Sequence, residues 1–232
     1  WTLAESLLQQ AIDLEPENPT NVLLLSNLGI VRHNAGKHVL AIEALDKALA
    51  VAPASVTVLG NRARIHAYCN NIESALADYN KIMYLDSTLT EPIFMHGMLS
   101  LQAGDVATAS SDFSRLSQMA PDDVSSHIGL ASLNVASGDL RQAIKEYTLI
   151  IDLEPTAEWY TQRASLYLTL GDLNEASEDI AEAMRLDPDD PELYLMRAVL
   201  NKKRFRPDDA KEDAKKAVEL GIDPNVIKEM GL

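Results

Sequence analysis

The residue types able to carry catalysis or hold a metal are sparse in this chain, and their spacing argues against both. There are five histidines. His33 and His38 stand five apart, whereas two ligands on one helix face need a spacing of three or four, so no metal site is read there. His66, His96 and His127 fall at recurring positions occupied elsewhere by interhelical packing residues, and hydrogen-bonded histidines in or near a core are expected. The single cysteine, Cys69, excludes an internal disulfide and any cysteine-built zinc cage. It reads as a small buried hydrophobe. Adjacent acids such as Glu178 and Asp179 could act as an acid and a base only in a cleft that separates their pKa values, and they sit instead in solvated-helix patterns. No glycine-rich phosphate loop, HExxH or GxSxG element occurs. The expectation is a protein that is not an enzyme, with no cofactor and no metal.

What must position any other site is set by composition and periodicity. The 232 residues carry 20 Lys and Arg against 35 Asp and Glu, a net charge of −15, with 47% apolar residues. That is a folded rather than a disordered composition. The negative charge argues against a nucleic-acid or anionic-membrane binder, both of which need a positive footprint. No apolar run approaches the ~18 residues of a membrane span, so no direct membrane insertion is expected. The chain starts at Trp1 rather than a methionine and reads as a processed or truncated piece, which leaves its compartment open.

Internal repetition decides the architecture. Pro16, Pro53, Pro121, Pro155 and Pro188 follow similar contexts, twice as IDLEP, with Ser87 at the missing beat. The intervals are 34 or 33 residues, apart from a first interval of 37. In this frame one column reads alanine throughout, at Ala4, Ala41, Ala75, Ala109, Ala143, Ala176 and Ala210. Another holds only small residues: Gly29, Ala63, Gly97, Ala131, Ala164 and Ala198. Apolar spacing within a unit steps by three or four, as in Tyr160, Ala164, Tyr167 and then Ala176, Ile180, Ala183, which makes each unit two helices. Between them, Gly104, Gly138 and Gly171 suit the left-handed end of the first helix. Asp105, Asp139 and Asp172 then suit the cap of the second. Small residues in the fixed columns let the paired helices approach closely.

These columns resemble the tetratricopeptide repeat (TPR) family, whose 34-residue unit pairs two helices with a small residue in the first, an early alanine in the second, a large residue four further on and a terminal proline. The large-residue column here reads Leu8, Leu45, Tyr79, Phe113, Tyr147 and Ile180, departing at Ala214. The resemblance implies an all-α fold, a right-handed α-solenoid of antiparallel helix pairs. Residues 1–21 would hold a second helix and linker, the first helix of that unit lying upstream or lost. Six full units would cover 22–222, starting near 22, 56, 90, 124, 157 and 191. Residues 223–232 would form a short capping helix whose Val226, Ile227 and Met230 cover the last apolar face. The three-residue surplus in the first interval predicts a longer first helix there, from near Thr20.

The resemblance also implies a concave surface, lined by first helices, that binds a peptide or helix of a partner protein. The groove-facing columns are Asn27 and Ile30; Asn61, Arg64 and Tyr68; Phe94, Met95 and Met98; Ile128 and Ser132; Thr161, Gln162 and Ser165; and Met196 and Val199. Phe94, Met95, Met98 and Ile128 would form an apolar recognition patch. The chaperone-binding members use a lysine, asparagine and arginine clamp, and here the matching positions are Ser26, Ile30, Asn61, Glu91 and Met95, of which only Asn61 fits. Charge is uneven: eleven acids between Glu154 and Glu192 face only Arg163 and Arg185, and Glu158, Asp189, Asp190 and Glu192 fall at the groove edge. Residues 202–216 hold seven Lys and Arg against four acids. An acidic edge can steer a basic partner. The expected function is a protein-binding scaffold or adaptor; the alternative is self-association into a homo-oligomer.

Overall fold

A computed structural model describes all residues 1–232 as fourteen helices without a strand. Helix α1 spans Thr2–Leu14. Six helix pairs follow: α2 (Asn21–Asn34) with α3 (His38–Val51), α4 (Val56–Tyr68) with α5 (Ile72–Leu85), α6 (Thr90–Gln102) with α7 (Val106–Met119), α8 (Val124–Ala136) with α9 (Leu140–Leu153), α10 (Ala157–Leu170) with α11 (Leu173–Leu186), and α12 (Pro191–Lys203) with α13 (Pro207–Leu220). A six-residue helix, α14 (Pro224–Glu229), comes last. The chain divides into two compact units, Trp1–Pro121 with α1 to α7 and Asp122–Leu232 with α8 to α14.

The turn inside every pair contains one left-handed residue. Gly36, Gly104, Gly138 and Gly171 hold it at φ +76 to +84°, where glycine has no Cβ to clash. Asn70 and Phe205 hold the same position at 59° and 57°. Asp105 and Asp139 then cap their helices, accepting from the Thr108 and Gln142 amides. Asp172 does not cap α11; its carboxylate is turned to Arg141 at 2.6 Å instead.

The alanine and large-residue columns form the cores. Ala41, Ala75, Ala109, Ala143 and Ala176 are fully buried, as are Leu45, Phe113 and Ile180, while Ala4 on α1 is exposed. The small column is enforced by contact: a Cβ on Gly97 would lie 2.6 Å from Phe113 Cε1, and one on Gly29 would lie 2.7 Å from Leu45 Cγ.

Two expectations are corrected. The surplus residues of the first interval do not all lengthen α2, which starts at Asn21 with Thr20 as its N-cap, where expected, but has 14 residues against the 13 of α4, α6, α8 and α12. Most of them stay in the connector, where Asn18 Oδ1 accepts from the amide and hydroxyl of Thr20 and Asn21 Nδ2 donates to the Glu15 carbonyl. These local bonds compete with a further helical turn. At the other end, Ile227 is half-buried against Ala214 and Val218, but Val226 and Met230 remain 38% and 40% exposed.

Candidate functional site: the first-helix faces

In the first unit the expected binding residues lie on α2, α4 and α6, which follow one another at a spacing set by the second helices behind them. Asn27 and Ile30 are exposed on α2. Asn61 on α4 departs from the expectation of a free groove amide: it is buried, its Nδ2 donating to Ser26 Oγ at 3.1 Å and its Oδ1 accepting from Arg64 at 2.6 Å. The one position that matched a carboxylate clamp is thus already tied to two neighbouring side chains. Arg64 itself is exposed and reaches Glu91 on α6 at 3.2 Å.

Arg64 stands between two cavities. One, of about 380 Å³, is bounded by Val56, Thr57 and Gly60 of α4 and Glu91 and Pro92 of α6. The other, of about 210 Å³, is bounded by Ile30, His33, Asn61 and Ile65. Tyr79 borders the larger one, but its hydroxyl is sealed from solvent without a partner, and burial pushes its pKa up to about 12. Tyr68 is 69% exposed, and its ring packs at 4.9 Å from both His33 and His38.

The histidines behave differently from one another. His33 and His38, unable to share a helix face, are brought together by the α2–α3 turn, with their Nδ1 atoms hydrogen-bonded at 3.0 Å. Burial, then the charge of His38, lowers the pKa of His33. His96 meets Asp112 at 2.6 Å and His127 meets Glu146 at 2.8 Å, as expected of core histidines. His66 does not: its Nδ1 is buried with no partner, and burial lowers its pKa. No group of three or more His, Cys, Asp or Glu side chains is arranged to hold a metal ion.

The apolar positions are partly turned inward. Phe94, Met95 and Met98 are half-buried; Phe94 packs on Phe113 with ring centroids 6.4 Å apart, and Met95 packs on the core of the first unit. Ile128 belongs to the second unit, where it packs on Ala131, Tyr147 and Ile150, and Ser132 is half-buried one turn on. Gln162 on α10 is exposed, and Met196 on α12 packs on Ala164, Leu168 and Leu200. Of the acidic edge, Glu158, Asp189 and Glu192 are exposed. Asp190 is the N-cap of α12, accepting from the Glu192 amide.

Sequence reasoning missed a second regular feature. Arg62 pairs with Asp78, Arg163 with Asp179 and Arg197 with Asp213, each across its helix pair and each sixteen residues apart. His96 and Asp112 occupy the same positions in their pair. The repeated Arg-to-Asp spacing was the available signal.

Consecutive helix pairs with exposed first-helix faces and no clustered catalytic groups define the class of helical-repeat interaction modules. The family model described as "Tetratricopeptide repeat" matches residues 94–158 and 156–200. A solved tetratricopeptide repeat protein from Parabacteroides merdae superposes with a TM-score of 0.77 at 29% identity, covering 97% of this chain and 88% of its own. The chain belongs to the tetratricopeptide repeat family. Among curated relatives, TPR repeat-containing protein MJ1428 of Methanocaldococcus jannaschii is 24% identical over 73% of this chain and 32% of its own length. Sperm-associated antigen 1 of Mus musculus is 32% identical over 40% of this chain and 10% of its own. The chain thus spans about a third of the first relative and a tenth of the second. The solved protein YrrB, described as a TPR protein with an unusual peptide-binding site, shares the fold at a TM-score of 0.60 and 16% identity, covering 85% of this chain and 97% of its own. Repeats of this family are generally non-catalytic interaction modules, and no helix here is long and apolar enough to cross a membrane.

Proposed function

We propose that this chain is a non-catalytic scaffold or adaptor that holds a peptide or helix of a partner protein against its first-helix faces. The observation that carries this reading is the surface around Arg64: an exposed guanidinium between two cavities, with an exposed tyrosine, Tyr68, one helical turn further along α4. A concave, partly apolar surface with a few converging polar groups suits peptide recognition. The peptide-binding site named for YrrB supports the reading by analogy of fold.

The test is capture of a partner from cell extract by the native chain and by an Arg64→Ala/Tyr68→Ala variant, with thermal unfolding recorded on both. Both side chains are exposed, so the fold should survive. Loss of the partner at unchanged stability is expected. Equal capture by both forms would place recognition elsewhere. Charge at Phe94 is a poorer probe, because its contact with Phe113 makes it a packing residue as well.

Self-association is the second reading, favoured by one observation: Leu3, Leu7 and Leu14 on α1 are 73%, 56% and 84% exposed. A monomeric mass by light scattering at high protein concentration would exclude it.

A further inference from the structure

The α12–α13 turn breaks the rule that the other turns follow. Four of the six within-pair turns place glycine at the left-handed position and one places asparagine, a residue that tolerates it; here the residue is Phe205, at φ 57°. The conformation is fixed by the turn, with the Phe205 amide donating to the Lys202 carbonyl and the Arg206 amide to the Asn201 carbonyl. The ring gains nothing from the fold in return, since it is 92% exposed. A strained backbone that presents an uncovered aromatic ring is costly in two ways, and both costs fall on a single residue.

The surroundings indicate what could cover it. Phe205 borders a cavity of about 460 Å³ shared with Val199 of α12 and Met230 beyond α14, with Lys202 and Lys203 at its rim. Lys202 Nζ is engaged with the Met230 carbonyl at 2.6 Å, which ties the C-terminal segment to α12. Lys203 and Arg206 make no ion pair. Lys202 and Lys203 are the charged side chains that line this cavity, and no acid does, in a chain of net charge −15.

We propose that the Phe205 corner is a docking point for an acidic peptide segment of a partner protein, one bulky apolar side chain of which covers Phe205 between Val199 and Met230 while flanking carboxylates meet Lys203 and Arg206. The inference rests on the reading of the chain as a peptide-binding scaffold and names the chemistry that one end of it selects. Apolar contact supplies the affinity, and the unpaired cations supply orientation and reject basic segments.

The experiment is selection of a random hexapeptide display library on the native chain and on Phe205→Gly and Lys203→Glu variants, with affinities of the selected peptides then measured by fluorescence anisotropy. Glycine suits the turn, so Phe205→Gly keeps or improves the fold, which unfolding curves verify. Enrichment of peptides with an aromatic or leucine beside Asp or Glu is expected, weakened about tenfold or more by Phe205→Gly. Lys203→Glu should weaken them several-fold, with the remaining binding less salt-dependent. No such enrichment, or affinities unchanged by Phe205→Gly, overturns the proposal. So does Phe205-dependent binding to phosphatidylserine vesicles without peptide selection, which would make the corner a membrane contact. Loss of partner capture by the Arg64→Ala/Tyr68→Ala variant, with no effect of Phe205→Gly on any peptide, would leave the scaffold reading standing and this inference fallen; the reverse pattern would overturn only the Arg64 site.

Discussion

Arg163 and Asp179 meet edge to edge across the α10–α11 pair, Nε to Oδ2 at 2.8 Å and Nη2 to Oδ1 at 2.7 Å, with the aspartate 4% exposed. A third guanidinium bond runs from Nη1 to the Thr148 hydroxyl of α9 at 2.9 Å, tying the pair to its predecessor. The side-chain hydrogen bond to Asp179 raises the Arg163 pKa. The same positions in the α2–α3 pair hold Leu28 and Ala44, both 1% exposed. The chain therefore solves one packing problem in more than one way, by a bidentate ion pair here, by a His96–Asp112 contact in the α6–α7 pair and by an apolar contact in the α2–α3 pair.

That comparison predicts the outcome of breaking the pair. Asp179→Ala strands a largely buried guanidinium and should cost about 2–4 kcal/mol. The double variant Arg163→Leu/Asp179→Ala, which copies the Leu28 and Ala44 solution, should recover most of the loss. Urea unfolding of both singles and the double would measure it, and a double variant as unstable as the sum of the singles would refute the equivalence.

Close approach at the small column makes a steric prediction. Gly97→Ala drives a methyl into the Phe113 ring at 2.6 Å and should destabilise by about 1–3 kcal/mol, despite alanine's better helix propensity. Adding Phe113→Leu should relieve part of that loss. The control is Gly60→Ala, where the nearest foreign atom, Ile82 Cδ1, is 3.9 Å away; this change should stabilise by about 0.5–1 kcal/mol.

The turn position makes another. Phe205→Gly should raise stability by about 1 kcal/mol, because it removes a left-handed Cβ and an exposed ring whose loss costs no packing. A fall in melting temperature would mean that the ring is already covered within the folded chain.

The caps can be compared directly. Asp105→Ala removes the acceptor for the Thr108 amide and should cost about 1 kcal/mol. Asp172→Ala removes no cap; it breaks a pair with an Arg141 side chain that is 65% exposed, and should cost less than about 1 kcal/mol.

Stability should also depend on pH through His66. Burial lowers its pKa from the ordinary 6.5, the nearby Arg62 lowers it further, and Asp78 and Asp46 oppose the shift. In the unfolded chain His66 takes up a proton as pH falls through 6.5; in the folded chain it resists until a lower pH. Stability from this residue is thus fully present above pH 6.5 and declines below it. His33, shifted in the same direction, adds to the slope. Replacement of His66 by leucine should flatten the dependence of the urea midpoint between pH 6.5 and 5. The carboxylates of Glu5, Asp86 and Asp105, whose pKa values are lowered from 4.5, 3.8 and 3.8, act at lower pH.

Repetition in the sequence made the helix pairs legible. A column repeated every 34 residues averages out the ambiguity of any single segment, so the alternation of alanine, large residue, glycine and proline located the helices and their turns. Gly104, Gly138 and Gly171 could be read as left-handed turns because little else tolerates that conformation. The candidate site was legible only as a set of columns. Asn61, Arg64 and Tyr68 all belong to it, yet one is buried and doubly bonded, one lies between two cavities, and one packs edge-on or tilted against two histidines.

The sequence by itself determined where the helices are and which face each turns inward, because that follows from local spacing and recurs with the repeat. Tertiary structure alone decided which column residues stay free. That choice depends on the side chain opposite, in another helix of the pair or in the neighbouring repeat: Ser26 engages Asn61, Phe113 holds Phe94, and the α2–α3 turn joins His33 to His38. At the α12–α13 turn Phe205 is left without such a partner, in a conformation its own side chain disfavours. Periodicity fixes direction, while burial and hydrogen bonding are set by neighbours that periodicity does not name.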